Sequence, residues 1–287
     1  MKQLFEEYRE DVVARNKPGS NRASSYLKAL EYLGPILTAS TGEYSDISDV
    51  FGISDAAIIK ELYQYVLTQQ SVGDGGIFSS KHKPSYWRNG FYSAALKDYG
   101  QFLIRQSHAQ KCWQIYDTPS LSPGEIGRKL LRIKISAAEL LFEGDDVKTM
   151  PIGKDVIREA KARVNHSFFR RMILRDYSQT CCVSGLSVPE VLRASHVIPW
   201  AEDQQNRMNP ANGLCLAATY DAAFDRHLIS FDEDYRLILA PSLKEYFSSD
   251  AFKKHFLAYE GKPIQMPHKF APDVGFLEKH RAKMSNN

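Results

Sequence analysis

The sequence predicts an α+β chain: a mainly helical N-terminal domain, then a small module of strand, loop, strand and short helix. Three observations point there. Over the first hundred residues, apolar side chains recur at helical spacing. Residues 177–231 instead break into short apolar runs punctuated by turn signals. Hydrophobic residues make up 43% of the 287, with 15 Tyr and 15 Phe, which supplies a packed core for one large domain or two smaller ones.

The helices come first. Residues 2–15 place Leu4, Phe5, Tyr8, Val12 and Val13 on one face, and the run NKPGSN at 16–21 breaks the pattern. Residues 23–38 form a second helix with Tyr26, Leu27, Leu30, Tyr32, Leu33 and Ile36 on its apolar side. A third begins at Ser54-Asp55 and turns Ile58, Ile59, Leu62, Tyr63 and Val66 inward. A Gly/Ser-rich loop at 69–83 leads to a fourth, which buries Phe91, Ala94, Ala95, Tyr99, Phe102 and Leu103. Residues 109–122 carry no periodicity and read as a linker.

Ser122-Pro123-Gly124-Glu125 has the S-x-x-E capping-box pattern with Pro at the first helical position, so a helical or mixed segment follows to about residue 142. Breakers at 144–146 and 150–153 close it. The expected organisation is a helical domain at 1–120, a linker region at 121–153 and a second domain at 154–287. Residues 154–176 read as a long helix with seven bases against three acids. Beyond the module, residues 232–239 add a hairpin and 242–259 read as one helix.

Charge and cysteine usage narrow the setting. A net charge of +3 is too small to announce a nucleic-acid binder, so local clusters must carry that argument. Lys81, His82, Lys83, Tyr86, Trp87 and Arg88 mix bases with aromatics, a composition that suits phosphate contact and stacking. The plainer reading has Tyr86 and Trp87 anchoring a loop. Arg170, Arg171 and Arg175 on the basic helix are further phosphate candidates. So is His227, unless it is structural. Lys279, His280 and Arg281 read either as phosphate contacts or as surface. The four cysteines show no disulfide-framework spacing, and the start MKQLFEEYRE is charged and amphipathic. No apolar run reaches the roughly 20 residues of a membrane span. A cytoplasmic protein without a membrane is expected.

The module holds the chemistry-bearing residues. An apolar run, VLRASHV, ends in His196-Val197-Ile198-Pro199-Trp200, where Pro199 stops the strand. Asn212-Gly213-Leu214-Cys215-Leu216 follows, its Asn212 sixteen residues after His196. Thr219 is a candidate N-cap for the helical turn YDAAFD, in which Asp221 and Asp225 lie one turn apart on the same side. Taken singly, His196 could be a core histidine, Asn212-Gly213 a plain turn, and Asp221 a carboxylate favoured by the helix start.

In that order and spacing, SHVIPW, NGLCL and YDAAFD resemble the HNH nuclease family, over roughly a quarter of the chain. They follow the restriction-type subgroup that reads AxHxxPW, NGL, FD. The resemblance implies a ββα fold that binds one metal ion and hydrolyses DNA phosphodiesters, leaving a 5′-phosphate and a 3′-hydroxyl. It implies His196 as general base, Asn212 as organiser of the loop, and Asp221, with Asp225, as metal ligands. Ser195 stands where many members carry an Asp or His ligand, and Asp221 stands where others carry His or Asn. The second cysteines of a zinc-ribbon pair are missing beside Cys182 and Cys215. Oxygen ligands suit Mg²⁺ or Mn²⁺, while nearby histidines leave Zn²⁺, Co²⁺ or Ni²⁺ open. The expected function is a metal-dependent DNA endonuclease, of restriction or defence type, whose N-terminal domain chooses the DNA. A two-fold symmetric cut would call for a homodimer. The alternatives are an HNH-fold DNA-binding module without a working metal site and, less favoured, a secreted toxin nuclease.

Overall fold

The computed structural model describes residues 2–79, 84–134 and 154–284. The architecture is α+β: among the described residues helices dominate, and two small antiparallel two-stranded sheets lie in the C-terminal part. The described residues divide into two compact units. One takes the chain up to Gln110 together with residues 154–160; the other takes Lys111–Lys134 and Lys161 onward. Among the described residues no helix is long and apolar enough to cross a membrane.

In the first unit, α1 (Lys2–Ala14), α2 (Arg22–Thr38), α3 (Ala56–Val72), α4 (Pro84–Arg88) and the N-terminal part of α5 (Phe91–Tyr116) surround an aromatic core. Tyr8, Phe51, Tyr99 and Phe102 meet there at centroid distances of 5.1–6.2 Å in mostly edge-on or tilted pairs. Asp55 starts α3 by accepting a hydrogen bond from the Ala57 N–H at 2.8 Å. Trp87 is buried, and its indole N–H donates to the Ser79 carbonyl, so this ring anchors the loop to the core. Lys81 and Lys83 lie outside the described residues.

The second unit gathers α6 (Pro123–Arg132), α7 (Lys154–Asp176) from Lys161 on, β1 (Leu192–His196), β2 (Gly213–Ala217), α8 (Ala218–Asp225), β3 (Ile229–Phe231), β4 (Leu237–Leu239), α9 (Asp250–His255) and α10 (Val274–Arg281). Ser122 and Glu125 form the full capping box of α6. Strands β1 and β2 pair antiparallel, Leu192 with Ala217 through to His196 with Gly213, and α8 packs against both. Phe168, Phe169, Met172, Ile173, Leu214, Leu216 and Phe224 build the core beneath them. Gly213 is a packing requirement: a Cβ there would stand 2.3 Å from Ile173 Cδ1 and 2.9 Å from Phe169.

Four expectations change. No linker begins at 109, because α5 continues to Tyr116, held by the packing of Trp113 on Phe168 at 4.8 Å and of Tyr116 on Phe270 at 5.7 Å. Thr219 is not the N-cap: α8 starts at Ala218, straight out of β2, with Ala217 in the cap position and no side-chain cap bond. Residues 242–259 do not form one helix. They break into a 3₁₀ turn at Pro241–Tyr246, the short α9 capped by Ser249, and a second 3₁₀ turn at Leu257–Tyr259. His280 is no surface residue, being 2% exposed.

Candidate active site

His196 closes β1, and the chain bends at Val197 and Ile198, so the strand stops three residues before Pro199. Its imidazole lies flat on the Phe169 ring, centroids 3.9 Å apart and planes 10° apart. Its Nε2 sits 3.0 Å from the Arg207 carbonyl oxygen. A carbonyl only accepts, so Nε2 carries the proton and Nδ1 is the basic nitrogen. Burial pushes the imidazole down to about 4, and the neighbouring His166 and Arg207 add to the fall against the Arg207 carbonyl bond, which opposes it. At neutral pH the ring is uncharged and able to accept a proton.

Asn212 ends the 3₁₀ turn Pro210–Asn212 and is fully buried. Its Oδ1 accepts from the Ile198 N–H at 2.8 Å, while Nδ2 donates to the Ile198 carbonyl at 3.2 Å and to the Asn206 carbonyl at 3.1 Å. Its own carbonyl takes the Val197 N–H at 3.0 Å. The loop leaving β1 is therefore pinned at 197–198 and again at 206, one residue before the carbonyl that holds His196. All of these backbone groups would otherwise be stranded away from water.

Beyond Arg207 the wall of the site is aromatic. Arg207 donates through Nε to the Trp200 carbonyl at 2.6 Å and lies over the Trp200 ring at 5.0 Å. His166 stacks on Trp200 with centroids 3.8 Å apart. Phe169, His166 and Arg207 were not singled out from the sequence. His166 and Phe169 stand three apart on α7, hence on one face, which is the signal that could have found them. Nothing local marks Arg207, since its contribution is a backbone carbonyl.

Asp221 and Asp225 occupy the first and last turns of α8. The Ser195 hydroxyl, buried at 4% exposure, donates to Asp221 Oδ1. Partial desolvation, and then the Asp221 charge, raise the Asp225 carboxyl above its ordinary value. Two carboxylates that repel across one helical turn suit a hard divalent cation, which would relieve the repulsion. Among the described residues no three His, Cys, Asp or Glu side chains converge on one point. A cation there would fill out its shell with water and phosphate oxygens, as Mg²⁺ commonly does.

The remaining candidates separate. Arg170 donates to the carbonyls of Leu192 and Pro189 at 2.7 and 2.9 Å, tying α7 to the start of β1. Arg175 pairs with Asp117 at 3.2 Å and lies over the Trp113 ring at 4.4 Å. Arg171 is exposed and lies over Phe168 at 5.7 Å. Arg88 belongs to the first unit and lies over Trp87 at 4.9 Å. His227, at a left-handed φ of 55°, accepts through Nδ1 from His280 Nε2 at 3.0 Å. That same Nε2 reaches the Phe224 carbonyl, and His280 Nδ1 accepts from the Ser230 hydroxyl. Cys181, Cys182 and Cys215 are buried free thiols, and burial pushes Cys182 well up and Cys215 to about 12, as neutral packing groups require.

The order and geometry of this segment can be set beside known proteins. Residues 181–232 match the HNH endonuclease family. The matched stretch runs from Cys181 through β1, β2 and α8 past the end of β3, so it contains His196, Asn212, Asp221 and Asp225. No curated protein matches the chain.

Proposed function

We propose that the protein is a metal-dependent DNA endonuclease in which His196 is the general base. The observation that carries this is the placement of His196 within the HNH segment: an imidazole fixed through Nε2 by the Arg207 carbonyl, with Nδ1 left as the proton acceptor. Hydrolysis of a phosphodiester needs a water deprotonated in line with the bond that breaks. His196 Nδ1 takes that proton, the water oxygen bonds to phosphorus, the bond to the 3′ oxygen breaks, and that oxygen takes a proton from solvent water. The products are a 5′-phosphate and a 3′-hydroxyl. A buried imidazolium is unstable, so His196 then gives up its proton readily.

Asn212 acts as a positioning residue, through the loop that presents the Arg207 carbonyl. Asp221, with Asp225, would hold a divalent cation, Mg²⁺ or Mn²⁺ by the chemistry of the donors. When bound, such a cation supplies charge stabilisation at the phosphate and the leaving oxygen. Ser195 orients Asp221. Arg171, Arg175 and Arg88, with Lys81 and Lys83, are proposed phosphate contacts, and Arg170 and His227 are proposed to act mainly through the packing around the site.

The first unit is proposed to select the DNA, and restriction or defence against foreign DNA, including modified DNA, is the setting that the motif order favours. Two copies would serve a two-strand cut. One observation favours a second reading, a DNA-binding module that does not cut: Ser195 supplies no carboxylate where a ligand would strengthen the site. Incubating methylated and unmethylated plasmid with the protein in Mg²⁺, Mn²⁺ or EDTA separates the two. Nicks or breaks that need the metal support the endonuclease; intact DNA that is nonetheless bound supports the module.

A further inference from the structure

Asp98 on α5, in the first unit, has a side chain only 3% exposed. A buried carboxylate is costly unless it is paired and hydrogen-bonded. Asp98 accepts from the Tyr8 hydroxyl at 3.0 Å, from both terminal nitrogens of Arg15 at 3.1 and 2.8 Å, and from a terminal nitrogen of Arg22 at 3.2 Å. Burial pushes its carboxyl up, but Arg15, Tyr8 and Arg22 together hold it below the ordinary value. One negative charge is thus shared by two guanidiniums.

The two arginines are used differently. Arg15 divides itself between Asp98 and Asp11. Arg22 gives Asp98 one terminal nitrogen, and its side chain stays 56% exposed. It lies over the Tyr26 ring at 5.0 Å, which fixes the plane of its donor fork.

A cavity of about 350 Å³ opens at this point, lined by Arg22, Tyr26, Tyr63, Lys97, Asp98 and Gln101 among others. Its charge comes from two cations and one carboxylate whose oxygens are already held. Another, larger cavity of the same unit, about 570 Å³, sets Glu43 and Glu61 against Lys60 and has the opposite balance. Of these two cavities, the one at Arg22 has the positive lining. Its volume suits one small ligand, since such pockets start near ~300 Å³.

We propose that this cavity binds the phosphate group of a nucleotide, with Arg22 as the fork and Lys97 as a point charge. Arg22 matches the geometry of phosphate oxygens, and Asp98 and Tyr26 hold it in place before the ligand arrives. Tyr63 and Gln101 offer a ring, a hydroxyl and an amide to the sugar or base. The phosphate could belong to a free nucleotide or to a DNA strand, and the chemistry at Arg22 is the same for both. The proposal does not depend on cleavage by the HNH segment.

Calorimetric titration of the full chain in EDTA tests it, with four probes: deoxyadenosine monophosphate, deoxyadenosine, and a short single-stranded oligonucleotide with and without a 5′-phosphate. Saturable binding of the monophosphate but not the nucleoside is expected. Arg22→Gln should weaken it by about tenfold or more, as expected for losing a charge-assisted hydrogen bond. Tyr26→Ala should weaken it less, by freeing the fork, and thermal melts check that both variants fold. If the oligonucleotides bind and the free monophosphate does not, with the same loss in Arg22→Gln, the phosphate site stands and its source is DNA. No saturable binding of any phosphate probe, or binding unchanged in folded Arg22→Gln, overturns the proposal. A protein that binds these probes without cutting DNA would contradict the nuclease reading alone.

Discussion

The imidazole of His196 rests face to face on the ring of Phe169, with centroids 3.9 Å apart. The stack joins α7 to the end of β1 and shields the histidine from water. That shielding is the first cause of its fall to about 4. Phe169→Ala is expected to cost about 3–5 kcal/mol as a large-to-small core change. It should also admit water and raise the His196 pKa toward the ordinary 6.5. An NMR titration of the imidazole ring checks both the direction and the size. A value still at about 4 would show that other neighbours, not Phe169, exclude the water.

Removing the Asn212 side chain strands buried backbone groups. Asn212→Ala leaves the Ile198 N–H and the carbonyls of Ile198 and Asn206 without their partner. Each costs about 1–3 kcal/mol when unpaired and buried. Urea unfolding should show a loss of at least about 2 kcal/mol. Cleavage should fall too, because the loop that presents the Arg207 carbonyl is loosened. A variant with wild-type stability would contradict the pinning role.

Ser195 and Asp221 predict a response to metal. Ser195→Asp sets a second carboxylate against Asp221 and, with Asp225 nearby, should lower the melting temperature in EDTA. Millimolar Mg²⁺ or Mn²⁺ should then raise it by more than in wild type, since a ligand at a hundred times its Kd adds about 2.7 kcal/mol. A melting temperature that ignores the cation would argue against a metal site on α8.

His280 predicts how stability varies with pH. Burial first, then His227, hold its imidazole down at about 4 against an ordinary 6.5. The folded protein therefore resists a proton that the unfolded chain takes up. The stabilisation from a neutral His280 is complete above about 6.5 and is lost as pH falls toward about 4. A shift of this size is worth on the order of 3 kcal/mol. His196 works in the same direction. Denaturant melts at pH 7.5 and 5 should show the loss, and His280→Gln should reduce it. Equal stability of the wild type at both values would contradict the burial argument.

What the sequence revealed depended on how local each signal was. The box at Ser122 and Glu125 spans four residues, so it was legible; the strand stop expected at Pro199 came three residues early, at His196. The α-helical first hundred residues were legible from periodicity, and the strand pair around His196 from short apolar runs bounded by turn signals. The extension of α5 was not, because Trp113 and Tyr116 are ordered by Phe168 and Phe270, far along the chain. Thr219 misled because α8 leaves β2 without a turn in which a side chain could cap it. His280 looked like surface in a basic tail, and only contacts with Ser230, His227 and Phe224 bury it. Within the candidate site, residue order pointed to His196, Asn212 and Asp221 as candidates. The tautomer of His196 came from the Arg207 carbonyl, which no residue type encodes.

The most direct measurement is single-turnover cleavage of one DNA substrate by wild type and His196→Ala, in Mg²⁺ or Mn²⁺, with binding followed separately by fluorescence anisotropy. A general base contributes about 10²–10⁴-fold. The variant should therefore bind DNA as wild type does and cut it at least about a hundredfold more slowly. Cleavage by His196→Ala within a few-fold of wild type would contradict His196 as the base.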